Sequence, residues 1–216
     1  MGISVLKGRN VRIEVGTALM TSKVVTAVSK ASPGVATSAT HGLANGTIGY
    51  FDSVVGMSEL DGMAAAVANT AASTFELQRL DTTSFGTFTS GNFIGVQTWV
   101  TLAEATSLQV GGGDASKLDI TTLLDNMRQE ENGLLAAQSI SIGAFVTSGV
   151  SAAMDAVEAA ARNNTFLVFR ATFSNGYRVI FRGQPSLPGM DTNVDQPVTG
   201  GFSTSVKGWV TKLPTP

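Results

Sequence analysis

Cysteine is absent from the 216 residues, which excludes a disulfide framework, a thiolate metal site and a thiol nucleophile. His41 is the one histidine, so a multi-histidine zinc site is excluded too. Charge is scarce: 14% of residues are charged against 43% hydrophobic. That balance excludes a disordered tail and leaves much of the surface neutral, as expected where neighbouring molecules cover it. The net charge of -2 supplies no basic field for gripping nucleic acid. A conduit is a different matter, because it must not hold its cargo. No apolar run approaches the roughly 20 residues that span a bilayer. The opening Met1–Lys7 lacks the long apolar core of a secretion signal, so neither membrane insertion nor secretion is expected. The acceptor-like triplets Asn45-Gly46-Thr47 and Asn163-Asn164-Thr165 therefore carry no weight as glycosylation sites.

What is present reads mostly as β-strand. In the first segment, residues 1–23, Val11, Ile13 and Val15 alternate with Arg12 and Glu14, the period of a half-buried strand. The second, residues 24–92, is rich in Ala, Gly, Ser and Thr. Turn signals recur at Pro33-Gly34, His41-Gly42, Asn45-Gly46, Asp61-Gly62 and Ser90-Gly91. Short strands are expected between them at Val24–Val28, Ile48–Val54 and Thr74–Leu80, the texture of a small barrel or sandwich. Ala64–Ala68 has helix propensity, but Gly62 and Asn69 leave too few residues for a stable helix, so it too reads as strand. Asp52, Glu59, Asp61, Glu76 and Asp81 outnumber Lys30 and Arg79 here.

The third segment, residues 93–216, carries alternating strands around Val96–Leu102, Leu118–Ile120, Ser139–Val146 and Phe202–Val210, with Gly111–Asp114 as a flexible connector. In Ser139–Val146, Ile140, Ile142, Ala144 and Val146 share one face and Ser139, Ser141 and Gly143 the other, one apolar and one wet. One helix is expected over Val150–Arg162, capped by Ser148 or Ser151. Its stripe is Val150, Ala153, Met154, Val157, Ala160 and Ala161, and Glu158 pairs with Arg162. A hairpin follows, with Asn175-Gly176 as a two-residue type I′ turn. Gln184–Gly201 reads as a long loop, and Leu213–Pro216 as a stiff extended tail.

No catalytic constellation emerges. A turn histidine such as His41 is far more often structural than a general base. The triple glycine lacks the lysine and hydroxyl of a phosphate loop. Asp191 and Asp195 do not have calcium-loop spacing and suit turn starts, while Glu130-Glu131 reads as a solvated run. Trp99 and Trp209 on wet strand faces are either interface anchors or covered by other parts of the chain.

The order of elements carries a resemblance. Leu118–Asp125, Gly133-Leu134, Ser139–Ile142, a single helix, the Asn175-Gly176 hairpin and Gly201–Gly208 together resemble the tail tube (major tail) proteins of long-tailed bacteriophages, over about half of the chain. Thr26–Val35, His41-Gly42-Leu43, Gly56–Gly62 and Ser73–Leu77 resemble the small β-barrel repeat of phage structural proteins. The resemblance implies a mainly β fold. A β-sandwich flanked by one α-helix would be built from residues 1–23 and 93–216, and residues 24–92 would form an inserted small β-barrel on the outer surface. It implies a structural protein with no catalytic residue, cofactor or metal, located in the virion tail and assembled in the host cytoplasm. Homohexameric rings would stack into a tube, and their open strand edges would be satisfied by ring closure. Expected partners are other copies of the chain, a tape-measure protein, and tail terminator and tip proteins. DNA would pass through the lumen unbound during genome ejection. Gly111, Gly112, Gly113, Asp114, Asp125, Arg128, Glu130 and Glu131 are the expected ring–ring contacts. Two other readings stay open: another tail part (terminator, connector or baseplate), or a carbohydrate-binding decoration module using Tyr50, Phe51, Phe85 and Phe88.

Overall fold

The computed structural model describes residues 8–149 and 151–213; Met1–Lys7, Val150 and the expected tail Leu213–Pro216 beyond its first residue lie outside them, and Leu213 is the buried last residue of a strand rather than tail. The fold is mainly β with one α-helix. In chain order the strands are β1 (Arg12–Leu19), β2 (Lys23–Val25), β3 (Ala27–Val28), β4 (Val35–Thr37), β5 (Ile48–Val55), β6 (Ala64–Ala68), β7 (Thr74–Leu77), β8 (Ser90–Thr101), β9 (Ala105–Val110), β10 (Ala115–Asp119), β11 (Glu130–Leu135) and β12 (Ser139–Phe145). The helix α1 (Ala152–Arg162) comes next, then β13 (Leu167–Thr172), β14 (Arg178–Pro185), β15 (Gly189–Asp191) and β16 (Thr199–Leu213).

Fourteen strands join one antiparallel path, β3-β4-β7-β6-β5-β8-β1-β13-β14-β16-β12-β9, with β2 against β8 and β15 against β16. β10 and β11 pair only with each other. The twelve residues of β8 are the hinge of this architecture. Its first half pairs β2 and β5, and its second half pairs β1, so the ladder runs unbroken past residues 92 and 93.

Three cores follow from the alternation of side chains along strands. The first fills residues 24–93, with Phe51, Phe75, Phe93, Met57, Leu60 and Leu77 fully enclosed. In the second, Phe169, Ala171, Val179 and Phe181 of β13–β14 meet Ile140 and Ile142 of β12, Phe202 and Val206 of β16, and Ala153 and Val157 of α1. The sheet curls around this core as the two layers of a sandwich, and the helix closes it. The third lies on the convex side, where Val168, Ile180 and Leu213 pack on Ile48, Ala64 and Ala66. β13 and β14 are thus buried on both faces, which explains continuous apolar runs such as Val179-Ile180-Phe181 where a half-buried strand would alternate.

The helix forms for local reasons. Ser151 is extended, and its Oγ accepts the Met154 N–H at 3.4 Å, closing the first turn. Asn164 ends it at φ 52. The Thr165 N–H reaches the Ala160 carbonyl at 2.9 Å and the Asn164 N–H reaches Ala161 at 3.4 Å, the paired bonds of a left-handed helix stop. Glu158 and Arg162 pair as expected.

Three expectations need correction. The Asn175-Gly176 turn is not type I′: Gly176 has φ 83 but Asn175 is not among the positive-φ residues. The Gly176 N–H donates to Phe173 and the Phe173 N–H to Tyr177, so the turn centres on Ser174-Asn175 and Gly176 forms the bulge after it. The Asn175 side chain also accepts the Tyr177 N–H, a local bond that holds this alternative. Second, Gln184–Gly201 is not one loop, since β14 runs to Pro185, β15 occupies Gly189–Asp191 and β16 starts at Thr199. The glycines there permit ladder contacts: a Cβ on Gly200 would sit 2.2 Å from the Gly189 carbonyl oxygen. Third, Gly111–Asp114 is no free connector. The Gly111 N–H bonds Ser139 at 2.7 Å and the Asp114 carbonyl accepts Ala136 at 2.9 Å.

β16 is covered on different faces at its two ends. Phe202, Thr204 and Val206 point inward; after Gly208, at φ 77, Thr211 and Leu213 are the buried ones. Two extra residues of β16 between Lys207 and Thr211 bulge without inverting the alternation: even positions to Val210 still face the helix core, while odd positions are now covered by β5–β6, and the Thr211 hydroxyl donates to the Ala64 carbonyl at 2.6 Å. The same strand therefore serves the helix core at one end and the β5–β6 contact at the other.

Candidate assembly surfaces

On β12, the residues opposite the buried Ile140, Ile142 and Ala144 are Ser139, Ser141 and Gly143. Register sets them in rows across the sheet. Gln109, Ser141 and Ser203 are opposite one another, as are Ser107, Gly143 and Gly201, and Ser139 faces Ser205. Ser186 extends the middle of this face, its hydroxyl 3.3 Å from that of Ser203. The face is convex, hydroxylic and without charge on any of these residues. The wet side of β12 and β16 was legible in sequence, but β9 was missed. Its Ser107-Leu108-Gln109 alternation is too short to stand out.

The other flank of the same convex side is covered by β5 and β6. Cations of the later strands meet acids and amides of residues 24–92 there. Arg182 lies between the rings of Tyr50 (3.9 Å) and Phe166 (5.0 Å) and 3.6 Å from Asp52. Lys207 reaches Asp61 at 3.0 Å, and Arg178 reaches Gln78 at 3.4 Å. Asp52 and Asp61 of that segment thus serve an internal joint, while Glu59, Glu76 and Asp81 bond within the segment itself. Burial tends to raise the Asp61 carboxyl, but the Lys207 hydrogen bond, the Val54 N–H and the charges of Lys207 and Arg182 outweigh it and hold the group below the usual carboxylate range.

The β10–β11 ribbon has no core. Leu123 and Leu124 at its tip are 107% and 94% exposed, and Met127 and Leu134 follow at 77% and 87%. The charges of this stretch are conspicuous in the sequence, but these apolar side chains are the signal that marks it as surface uncovered in the single chain. Of the expected contact residues, Asp125, Arg128, Glu130 and Glu131 gather on this ribbon. Gly111, Gly112, Gly113 and Asp114 form the strip that ties it to β9. The tip is ordered by its own polar groups: Asp125 accepts the Thr122 N–H (2.8 Å) and hydroxyl (2.9 Å), and Arg128 bridges Asp119 and Glu130 at 3.3 Å each. These bonds hold the Asp125 carboxyl below its ordinary range; for Asp119, Thr121 does most of this and Arg128 adds to it.

The open edge of β9 borders a cleft of about 260 Å³ lined by Asn10, Val11, Ile13, Ala105, Leu108 and Phe173, among others. A second concavity, of about 300 Å³, lies beside the start of α1 between Phe145, Met154 and Met190, with Glu104, Asp155 and Glu158 around it.

His41 has a structural place, and the two loop acids lie on the surface. His41 is buried: Nδ1 accepts the Leu43 N–H at 3.0 Å, Nε2 lies 2.9 Å from the Ala71 carbonyl, and the ring meets Phe75 edge-on. This pins two turns together. Asp191 lies on exposed β15, Asp195 sits in a turn at φ 57, and no metal-binding group of acidic and histidine side chains occurs among the described residues. Phe51 belongs to the first core and Tyr50 to the third, and Phe85 and Phe88 pack on the first. The tryptophans divide: Trp99 is covered by Arg170, 4.4 Å from its ring, and Trp209 is half exposed. No described helix is long and apolar enough to cross a membrane.

A family model described as phage tail tube protein matches residues 55–214, a span that includes the serine rows, the ribbon and the helix. No curated protein matches the chain.

Proposed function

The chain belongs to the phage tail tube protein family, a structural role in the virion tail that points away from enzymatic activity, and on that premise we propose that it forms stacked six-membered rings around a DNA-conducting lumen. The observation that carries this reading is the pairing of an open β9 edge with a neutral serine face. An unpaired edge invites a strand from another chain, and a heterologous contact that closes makes a ring. The face beside that edge, with Ser107, Gln109, Ser139, Ser141, Ser203 and Ser205, is the one we assign to the lumen. Phosphates passing over hydroxyls and glycines meet no fixed cation and release no counterions, so DNA slides without being held. Residues 24–92, on the other flank, are assigned to the outside of the tube. The Gly111–Asp114 strip with Asp125, Arg128, Glu130 and Glu131 is assigned to ring–ring contacts. Tape-measure, terminator and tip proteins are the partners this reading brings with it, and assembly takes place in the host cytoplasm.

Negative-stain microscopy of the purified protein tests the core of the proposal. Open-ended tubes with a central channel are expected. Capped single rings alone would indicate a terminator or connector instead. A small folded tag inserted at the Asn45-Gly46 turn should widen the outer diameter; tag density in the channel would overturn the placement of residues 24–92. Ser141→Lys with Ser203→Lys should leave tubes intact and make them retain DNA in a salt-dependent way. Unchanged DNA release would remove the lumen assignment.

A further inference from the structure

On the convex side of the later strands, three cations each have a carboxylate. Arg170 holds Glu14 at 2.8 Å, Lys207 holds Asp61 at 3.0 Å, and Arg182 lies 3.6 Å from Asp52. Arg178 and Arg12 have none among the described residues. Arg178 meets only an amide, donating from Nη2 to Gln78 Oε1 at 3.4 Å. Register places the two arginines on either side of one residue: Thr172 of β13 is opposite Arg12 of β1 and opposite Arg178 of β14. Cross-strand partners share a face, and the alternation that brings Glu14 to Arg170 puts Arg12, Thr172 and Arg178 on that same side. The two arginine backbones lie two strand spacings apart, roughly 10 Å. Arg12 is exposed, and Thr172 and Arg178 are half-buried. Burial, with the nearby Arg170 charge adding to it, pushes the Arg178 guanidinium down from its ordinary value. A cation drawn partly out of water without a counter-charge carries a cost, and an anion from outside would relieve it.

We propose that the row of Arg12, Thr172 and Arg178 is a docking site for an acidic segment of a partner protein, whose carboxylates are held by the two guanidinium groups over the threonine hydroxyl. Guanidinium forks match carboxylates with paired, parallel hydrogen bonds. Alternate side chains of an extended segment stand roughly 7 Å apart, a spacing that two long, flexible arginines on this row can meet. Nucleic acid fits less well. Two free cations release few counterions. Trp99, opposite Gly16 on this same face, is capped by Arg170 at 4.4 Å and offers no platform for bases. The row is also apart from the serine face. Arg178 opens β14, whereas Gln184, opposite Ser205, lies near its other end. The inference therefore stands independently of ring number, ring stacking and the lumen assignment.

Fluorescein-labelled poly-L-glutamate, titrated with the full chain at low ionic strength and followed by anisotropy, tests the site. Binding that added salt weakens is expected. Arg12→Gln and Arg178→Gln should each weaken it about fivefold, the upper end for one exposed charge pair, while Arg162→Gln on the helix should leave it unchanged. No binding, or binding that neither substitution on the row alters, overturns the proposal. Polyphosphate that binds where polyglutamate does not would make this a phosphate site and overturn the acidic-protein assignment. A second variant reads the same site from the inside. Gln78→Glu supplies the carboxylate that Arg178 lacks, so it should weaken polyglutamate binding and raise the Tm of the subunit together. Binding that persists unchanged in Gln78→Glu would show that Arg178 is not the receptor. Circular dichroism of each variant separates lost docking from lost fold.

Discussion

Residues 24–93 and the β10–β11 ribbon are both β-structure, yet they spend their apolar side chains in opposite ways. In the first, Phe51, Phe75 and Phe93 interlock at centroid distances of 5.2 and 5.3 Å, and each is fully buried. Only Val24 and Val55 stand out among exposed large apolar residues there. In the ribbon no side chain is buried, and leucines face solvent from both strands and the tip. Folding within one chain stabilises the first region. The second leaves its apolar side chains exposed in the single chain, the kind of surface that interaction sites present. The difference teaches where to look for assembly: at apolar side chains the subunit leaves unused, rather than at its conspicuous charges.

The comparison breaks most visibly if the core of the first region is emptied. Phe51→Ala should cost about 3–5 kcal/mol, a large share of a stability that is typically about 5–15 kcal/mol, and should lower the urea midpoint of the isolated subunit accordingly. A loss below about 1 kcal/mol would mean that this core is loosely packed and the contrast false. A somewhat smaller effect is expected at the joint between β1 and β13. There Arg170 places Nε and Nη2 each 2.8 Å from Glu14 Oε2 and stacks on Trp99. Glu14→Gln leaves the guanidinium without its counter-charge and should cost about 3 kcal/mol, whereas Glu14→Gln with Arg170→Met should recover much of it. A double variant worse than the single in equilibrium unfolding would show that the pair is net stabilising beyond its geometry.

The same contrast explains what could be read from sequence. Period-2 runs such as Ile140-Ser141-Ile142 and the alanine stripe of the helix were legible because each obeys one local rule. β9 and β15 were not: their residues become strand through ladder bonds to β12 and β16, partners distant in sequence. The Asn175-Gly176 pair marked a turn correctly, but its type depended on one Asn175 side-chain bond. Gly208 gave no sign that a bulge interrupts β16 there. Among the surface candidates, Arg128 and Glu130 were legible as charges. That they engage each other, leaving the leucines as the unsatisfied part, required coordinates.

A smaller effect sharpens the seam between residues 24–92 and the later strands. Asp61 is held below the ordinary carboxylate range despite burial that pushes the other way, chiefly by Lys207, with the Val54 N–H and Arg182 adding. A depressed carboxyl adds stability that is complete above its unfolded pKa, about 3.9. That stability is lost as pH falls through the lower folded value. Asp61→Asn should therefore cost little at neutral pH, about 0.5 kcal/mol for a pair this exposed, and the gap to wild type should close below about pH 4. A gap that persists or widens in acid would show that the contact is not electrostatic.

The smallest expected change in subunit stability is the one that decides the comparison. Leu123→Ser with Leu124→Ser removes two side chains that touch almost nothing, so the unfolding free energy of the isolated subunit should move by no more than about 0.5 kcal/mol. Assembly should nevertheless fail, since each leucine that would be buried in a neighbour contributes about 1.5–3 kcal/mol of transfer free energy. Chemical denaturation and sedimentation velocity on the same preparation measure both quantities. If the subunit is destabilised by several kcal/mol, the ribbon packs within the chain and the two regions are alike. If both stability and assembly are untouched, the leucines have no partner, and the apolar tip is not the surface by which one copy holds the next. Only the divided outcome, a subunit that folds as before and no longer polymerises, fits a region whose hydrophobic surface is reserved for its neighbour.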